Sequence, residues 1–514
     1  LNKLVGDQDA EVYVKLEGHE FRYEIENILK MFFEMGSTEI SYQDPGENYR
    51  GILLYSRLDI PYGSDGLYRT ETVICVDGEN VLKENHFFTV SVPGEDSNSL
   101  LEERKIQKRE VKREAYKALS KFTGKSMPWG MLTGIRPAKI VHELMDKGCS
   151  KEEINSTLKE YYFVSDKKSE ILYNVAKKER YILDNSEQDM VGVYIGIPFC
   201  TTRCLYCSFT SNPIKKYEHM VESYIKALKK EIMSVAGILE KKKLKIESIY
   251  IGGGTPTSIE ALHLKELLGF IEQALNLKDL KEYSLEAGRP DSITCEKLEI
   301  IKNSRVDRIS INPQSMNDEI LKKIGRLHTS KDIVEAFQLA RSMGFDNINM
   351  DVIAGLPGST LEDFVKTMEE IIVLGPESVT VHTMAIKRAS RLNEDRENYS
   401  LTSGSEVSKM VDAAYDILTK MGLEPYYLYR QKNMLGNLEN IGYSKAGYES
   451  IYNVQIMEEK QSIIALGAGA VTKVVFPESN RIERAFNVKN VEEYISRIDE
   501  MIERKNVLLF SNEE

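Results

Sequence analysis

Three cysteines announce the chemistry of this sequence. Cys200, Cys204 and Cys207 stand in a CxxxCxxC spacing inside YIGIPFCTTRCLYCSF, residues 194–209, directly after an apolar, strand-like run. Thiolates are soft ligands that suit iron–sulfur clusters and zinc. A cubane cluster has four irons, so three cysteines leave one iron without a protein ligand. S-adenosylmethionine can occupy such an iron through its amino group and carboxylate. The competing reading is a three-thiolate zinc site, or three thiols with no joint task. Structural zinc usually completes four ligands, often from two CxxC pairs. This chain has no second cysteine pair, and no histidine between residues 143 and 218.

Positioning those thiols requires a regular scaffold. From about Gly192 onward, strand-like runs fall at Val191–Phe199, Ile246–Ile251, Glu282–Ala287, Arg308–Asn312, Ile348–Ala354 and Ser378–Thr383. Helical runs separate them, among them Tyr217–Glu240, Glu260–Leu275 and Thr360–Leu374. Strands separated by helices predict parallel pairing. Six such units predict an α/β fold, an open partial (β/α)6 barrel, with chemistry at the C-terminal ends of its strands.

Candidate residues fall at those ends. The second strand runs into Gly252-Gly253-Gly254-Thr255, where glycines let backbone approach a ligand and N–H groups suit a carboxylate. Glu286 ends the third strand, suited to an ammonium or a ribose diol, although a strand-end acid is also an ordinary hydrogen-bond partner. Gln314, Arg326 and Asp351 follow. Each alone is unremarkable; gathered on one rim, they suit an amino acid joined to a ribose.

With these motifs assembled, residues 189–475 resemble the radical S-adenosylmethionine branch that contains oxygen-independent coproporphyrinogen III oxidases and their heme-chaperone relatives. The matching stretches are YIGIPFCTTRCLYCSF, GGGTPT, SLEAGRP, RISINPQS, IGRLHT and INMDVIAGLPG. The PWGMLTGIRP joint at 128–137 and the additional N-terminal region resemble more particularly the HemZ-type coproporphyrinogen dehydrogenases. The resemblance implies a [4Fe–4S] cluster on Cys200, Cys204 and Cys207. It implies S-adenosylmethionine, one molecule or two, against Tyr194, Tyr206, Gly252, Gly253, Gly254, Thr255, Glu286, Gln314, Arg326 and Asp351, with Tyr194 also near the cluster. The implied reaction is oxidative decarboxylation of coproporphyrinogen III propionates to vinyl groups. The implied partners are a tetrapyrrole substrate and a low-potential electron donor such as flavodoxin or ferredoxin, and the implied state is a monomer. A heme chaperone on the same scaffold, or a radical enzyme acting on heme or another tetrapyrrole, is the alternative. Two departures bear on that choice: Gly196 stands where the family usually has a histidine, and Tyr452 where heme chaperones carry a histidine before asparagine.

The remainder of the chain frames this block. Its 514 residues allow two to four domains. A net charge of −12 argues against bulk nucleic-acid binding. No run reaches the about 18 apolar residues of a spanning helix. Cys75, Cys149 and Cys295 are scattered, a reducing-compartment pattern, so a soluble cytoplasmic protein is expected. The expected organisation is an N-terminal α+β domain (1–124), a helical joint (125–188), the radical SAM partial barrel (189–400) and a mostly helical, substrate-side domain (401–514). The first domain should hold strands near Val12–Leu16, Gly51–Leu58, Glu71–Asp77 and Phe87–Val92, and helices over Phe21–Met35 and Glu102–Phe122. The second helix is rich in Lys and Arg, Lys105 and Arg109 among them, and reads as a solvated face before it reads as a docking face. In the joint, Trp129 reads as a packing anchor between domains, and Arg136 with Lys139 as an anion clamp. Near the C-terminus Ser405–Lys420 is amphipathic, and Arg430 and Lys432 beside Tyr426–Tyr429 are candidates for substrate propionates or, equally, part of a packed aromatic strand.

Overall fold

The computed structural model describes residues 12–33, 40–43, 46, 49–59, 66–90, 97–209, 211–476 and 481–510. The chain divides into two compact units, one of Leu1–Gly134 with Leu144–Tyr173, the other of Ile135–Glu143 with Asn174–Glu514.

In the first unit, strands β1 (Val12–Glu17), β2 (Ile40–Ser41), β3 (Ile52–Asp59), β4 (Leu67–Val76) and β5 (Glu79–Thr89) form one sheet in the order β2-β1-β3-β4-β5. Alternation of buried and part-exposed residues along β3 marks a sheet with one covered face. The β4–β5 hairpin turns through Asp77 and Gly78, both at positive φ, as a tight hairpin requires. Helix Arg22–Phe32 buries Ile25, Ile28, Leu29 and Phe32 on one stripe. The last positions of the expected Phe21–Met35 helix and Phe87–Val92 strand lie outside the described residues. Helix Ser97–Thr123 carries the cations noted above. Lys108 pairs with Glu24 at 3.1 Å, while Lys117 and Lys121 hold Glu84 at 2.9 and 2.6 Å. Much of its basic face is therefore neutralised within the unit. Trp129 is fully buried.

The second unit is built on strands β6 (Met190–Ile197), β9 (Lys245–Gly253), β10 (Glu282–Gly288), β11 (Arg308–Ile311), β12 (Ile348–Ala354) and β13 (Ser378–Thr383), with the two-residue β7 (Phe199–Cys200) and β8 (Asn212–Pro213) pairing in the cysteine loop. Neighbours in this series pair in parallel and in chain order. Helices Val221–Lys241, Ala261–Ala274, Cys295–Lys302, Ser330–Ser342 and Leu361–Leu374 lie in the connections. Almost every residue of β6, β9, β10 and β11 is buried, as expected where helices cover a parallel sheet.

The C-terminal region adds more than helices. β14 (Glu424–Tyr429) and β15 (Asn440–Ser444) extend the sheet antiparallel beyond β13. β16 (Ile463–Leu466) pairs in parallel with β6, and β17 (Val471–Phe476) and β18 (Arg481–Phe486) continue from it. Among the described residues the result is one open sheet of eleven strands. Gly467, at φ +98°, follows β16 where a side chain would lie 2.4 Å from the Gly196 carbonyl oxygen. That contact seats the C-terminal segment on the end of β6. Beneath it Glu231 accepts from the Gly467 N–H, the Tyr494 hydroxyl, Asn487 and Lys505, all buried.

Candidate functional site

The parallel register aligns the ends of β6 and β9. Tyr194 is opposite Tyr250, Gly196 opposite Gly252, and Ile197 opposite Gly253. Past Ile197 the chain turns into the cysteine loop. The Gly254 N–H donates to Ile197 O and the Thr255 N–H to Phe199 O, each at 2.7 Å. These two N–H groups therefore bind the cysteine loop and are not available to a ligand carboxylate. A Cβ on Gly254 would lie 2.4 Å from Phe199 O, so only glycine permits this approach.

The thiols sit where that loop is anchored. Cys200 and Cys204 are buried and Cys207 half-buried. Thr255 Oγ1 donates to Cys200 Sγ at 3.6 Å, and Arg289 Nη1 to Cys204 Sγ at 3.7 Å. Arg289 also donates to Thr202 Oγ1 at 2.8 Å and forms a two-point pair with Asp291. Burial tends to raise the Asp291 carboxyl, yet His328 and Arg289 hold it well below the usual carboxylate range. Burial pushes the Cys200 thiol up and the Cys207 thiol up to about 11, so a metal must displace their protons to bind. Tetrahedral zinc holds its sulfurs about 3.8 Å apart. Among the described residues the group with donor atoms gathered within 4.8 Å is His142, Glu179 and Glu458, not the three cysteines.

Beside the loop lies a rim of polar groups. Tyr250 donates to Glu286 at 2.5 Å. Burial, with the negative charge of Asp351, pushes the Glu286 carboxyl up to about 7, against the hydrogen bond from Tyr250. A Cβ on Gly252 would lie 2.8 Å from the Glu286 carboxyl carbon, so the glycine makes room for that carboxylate. Asp351 accepts from Asn349 Nδ2 at 2.7 Å and lies 3.9 Å from His382 Nε2. Burial opposes its charge, but His382 and the bonds from Asn349 and Thr380 keep its carboxyl below the ordinary value. Arg326 donates to Asn312 O at 2.6 Å and to the Tyr206 hydroxyl at 3.2 Å, fixing the tyrosine next to Cys207. Gln314 sits at φ 67°, joined by its backbone to Asp351 and Ile353.

Four buried polar atoms near these strand ends, Gln314 Oε1, Asn312 Oδ1, Ser310 Oγ and Arg326 Nε, have no hydrogen-bond partner in the protein. Such atoms are costly unless a ligand or water satisfies them. A molecule with an amino acid at one end and a ribose at the other offers donors and acceptors of the required kind. The residues present thus fit a three-cysteine cluster with S-adenosylmethionine at its side.

Some of the constellation escaped sequence reasoning. Arg289, quoted only as part of a turn, reaches both Cys204 and Thr202. Its signal was a charged residue directly after a strand end, wedged between glycine and proline. Tyr250 stacks with Tyr452 at 4.6 Å, and Tyr194 lies 6.3 and 6.4 Å from the two. Two cations have other duties. Arg136 is engaged by Glu459 at 2.5 Å, which takes it out of the expected anion clamp. Arg430 is buried and donates to Leu438 O and Asn437 O, which makes it a brace for its loop instead of a propionate ligand. Lys432 is exposed.

Comparisons with known proteins place the sequence among its relatives. The Radical SAM superfamily model matches residues 194–371. The oxygen-independent coproporphyrinogen-III oxidase-like protein HemZ of Bacillus subtilis (strain 168) is 37% identical over 503 residues, covering 96% of this chain and 97% of that protein. The heme chaperone HemW of the same organism is 32% identical over 314 residues, 60% of this chain and 76% of its own. The solved coproporphyrinogen III oxidase HemN of Escherichia coli aligns at 20% identity with a TM-score of 0.49, covering 64% of this chain and 73% of that one. Among the described residues no helix is long and apolar enough to cross a membrane. A cysteine triad on the loop after the first parallel strand, ringed by groups suited to S-adenosylmethionine, and a relative alike from end to end lead to one assignment: the chain belongs to the radical SAM superfamily, in its family of oxygen-independent coproporphyrinogen-III oxidase-like proteins.

Proposed function

We propose that this protein converts two propionate side chains of coproporphyrinogen III to vinyl groups without oxygen, yielding protoporphyrinogen IX in the cytoplasm. The observation that supports the reading is a loop bearing Cys200, Cys204 and Cys207 after β6, with Glu286, Gln314, Arg326 and Asp351 on or between the parallel strands β10 to β12 of the same sheet, in a chain whose near-full-length relative is described as coproporphyrinogen-III oxidase-like. When bound, the [4Fe–4S] cluster and S-adenosylmethionine supply a 5′-deoxyadenosyl radical, able to take a hydrogen atom from a propionate β-carbon before carbon dioxide and an electron leave.

The chain's own residues orient and shield. Thr255 and Arg289 hydrogen-bond two of the three cluster thiols, and the positive charge of Arg289 favours the reduced, more negative state of a cluster held there. Glu286 and Asp351 offer carboxylates to an ammonium or a ribose diol. Tyr206, held by Arg326, offers a ring face to the cofactor. Strands β14 to β18 cover both flanks of the barrel strands and help keep water from a radical.

The likeness to HemW motivates a second reading, heme binding without turnover. Tyr452 weighs against it. In place of an imidazole it presents a phenol packed against Tyr250 and buried. Burial, with Tyr194, Glu286 and Glu282 nearby, raises its pKa well above the ordinary value. A tyrosinate ligand to iron is therefore disfavoured there.

The deciding experiment is anaerobic turnover of the reconstituted protein with coproporphyrinogen III, S-adenosylmethionine and a low-potential reductant. Mass spectrometry should register 5′-deoxyadenosine together with loss of two carboxyl groups, and Cys200→Ser should be silent. Deoxyadenosine without change in the porphyrinogen would retain the radical machinery and discard the substrate. Stoichiometric heme uptake with no vinyl product would favour the chaperone.

A further inference from the structure

A second group of ligating side chains lies away from the cysteines and wholly within the second unit. His142 stands on helix Ala138–Asp146, Glu179 on helix Asp166–Asp184, and Glu458 at the end of helix Ile451–Glu458. His142 Nε2 is 3.0 Å from Glu179 Oε2 and 3.8 Å from Glu458 Oε2. One donor atom from each residue lies within 4.8 Å of the other two, and all three residues are buried. An ion bound at about 2.1 Å holds its donors about 3.3 Å apart, inside the observed range.

The surroundings leave this cluster short of positive charge. Glu179 and Glu458 have side-chain exposures of 0% and 2%, and the Oε1 atom of each has no hydrogen-bond partner. The Leu428 N–H faces Glu179, while Arg136 and Lys460 act on Glu458 only through space. Arg136 is already engaged by Glu459. Burial pushes the Glu179 carboxyl up to about 8, and burial together with the charge of Glu179 pushes Glu458 up to about 7. Two buried carboxyl groups and an imidazole in contact, with lone pairs that no protein group uses, are ligands from which a cation can displace the proton.

We propose that His142, Glu179 and Glu458 form a divalent-cation site. One imidazole and two carboxylates suit a borderline ion such as Zn2+ or Mn2+, since an all-oxygen shell is what Mg2+ and Ca2+ prefer. Two carboxylates match the charge of the ion, and binding expels any proton shared among the ligands. The ion ties together three helices distant in sequence. Helix Ile451–Glu458 carries Tyr452 near its other end, about 9 Å along the axis, so the ion also steadies the tyrosine that packs on Tyr250.

The test uses full-length protein with its cluster in place, so that Cys200, Cys204 and Cys207 are occupied. After dialysis against a chelator, ZnCl2 and MnCl2 are titrated by calorimetry, and bound metal is counted by plasma mass spectrometry. The proposal expects one ion per chain beyond the cluster iron and a higher Tm in the loaded protein. Because loss of an outer-sphere partner alone weakens metal affinity about 10- to 100-fold, removing a direct ligand in His142→Ala or Glu458→Gln should weaken it by at least about 100-fold. The cluster absorbance of those variants should be unchanged. Wild-type protein that takes up no stoichiometric Zn2+ or Mn2+ overturns the proposal whether or not the variants fold. Affinity unchanged in Glu458→Gln also overturns it.

Discussion

Glu286, proposed to meet S-adenosylmethionine, carries opposite expectations for stability and for cofactor affinity. Its carboxyl is buried at the end of β10, accepts from Tyr250 and sits near the negative charge of Asp351. Its pKa in the fold is about 7, while the unfolded chain has the ordinary value near 4.5. A carboxyl whose pKa rises on folding opposes the fold when ionised. The penalty is absent below the unfolded pKa, grows between the two values, and is complete above pH 7, where it amounts to about 3 kcal/mol. Glu286→Gln removes the charge and keeps an oxygen for the Tyr250 hydroxyl. Its Tm should exceed that of the wild type at pH 8, and the difference should fade near pH 5.

Binding should move the other way. If the ionised carboxylate is the form that meets the ammonium or ribose of S-adenosylmethionine, the competent fraction is about 0.9 at pH 8 and about 0.1 at pH 6. Calorimetric Kd for the cluster-loaded protein should therefore weaken about tenfold from pH 8 to pH 6. Glu286→Gln should bind about 10- to 100-fold more weakly at pH 8, the loss of a charged hydrogen bond of about 1.5–3 kcal/mol, and its Kd should lose this pH slope. A wild-type Kd flat across this range, or an equal slope in Glu286→Gln, would refute the role given to Glu286. A variant no more stable than wild type at pH 8 would refute the electrostatic argument itself.

Three further outcomes follow from contacts around the site. Arg289→Ala removes a cation 3.7 Å from Cys204 Sγ and should shift the cluster reduction potential to more negative values, read by an electron paramagnetic resonance redox titration. Gly254→Ala places a Cβ 2.4 Å from Phe199 O and 2.8 Å from Ile197 O, both backbone atoms, so it should lower iron incorporation on reconstitution while the far-ultraviolet dichroism persists. Lys505→Met leaves Glu231 without its 2.6 Å buried cation and should destabilise the second unit by about 3–5 kcal/mol in chemical denaturation; Lys505→Met with Glu231→Leu should recover part of that loss.

The sequence revealed the parallel strands because each is a short apolar run ended by glycine or a polar residue. The expected Ile348–Ala354 and Ser378–Thr383 coincide with the observed strands, and the other four differ at their ends by one or two residues. The cysteine loop was equally visible, since its spacing is local. Partners that are remote in sequence were hidden. Arg430 and Arg136 look like available cations until the fold brings Leu438 O to one and Glu459 to the other. Strands β14 to β18 read as parts of a separate region because nothing local in Ile463–Leu466 tells that it pairs with β6.

That last pairing also explains why Gly196 and Tyr452 belong to one argument. β16 lies beside β6, and the turn that follows it brings Gly467 onto the Gly196 carbonyl, with the Tyr224 hydroxyl donating to the same oxygen at 2.6 Å. The helix preceding β16 is fixed at its start by Glu282, which accepts from Ser450 Oγ and the Ile451 N–H, and this sets the Tyr452 ring on Tyr250. The backbone around Gly196 and the ring of Tyr452 are thus positioned by segments directly connected in the chain. Gly196→His alone should leave cluster loading intact, because its Cβ would meet the backbone Leu466 O and the Tyr194 ring at 3.4 Å, the near edge of ordinary van der Waals contact. Tyr452→His alone places an imidazole against Tyr250 in a buried pocket and should raise heme affinity in a spectroscopic titration. No gain in heme affinity would mean that the surrounding rings, and not the missing imidazole, keep heme from this position.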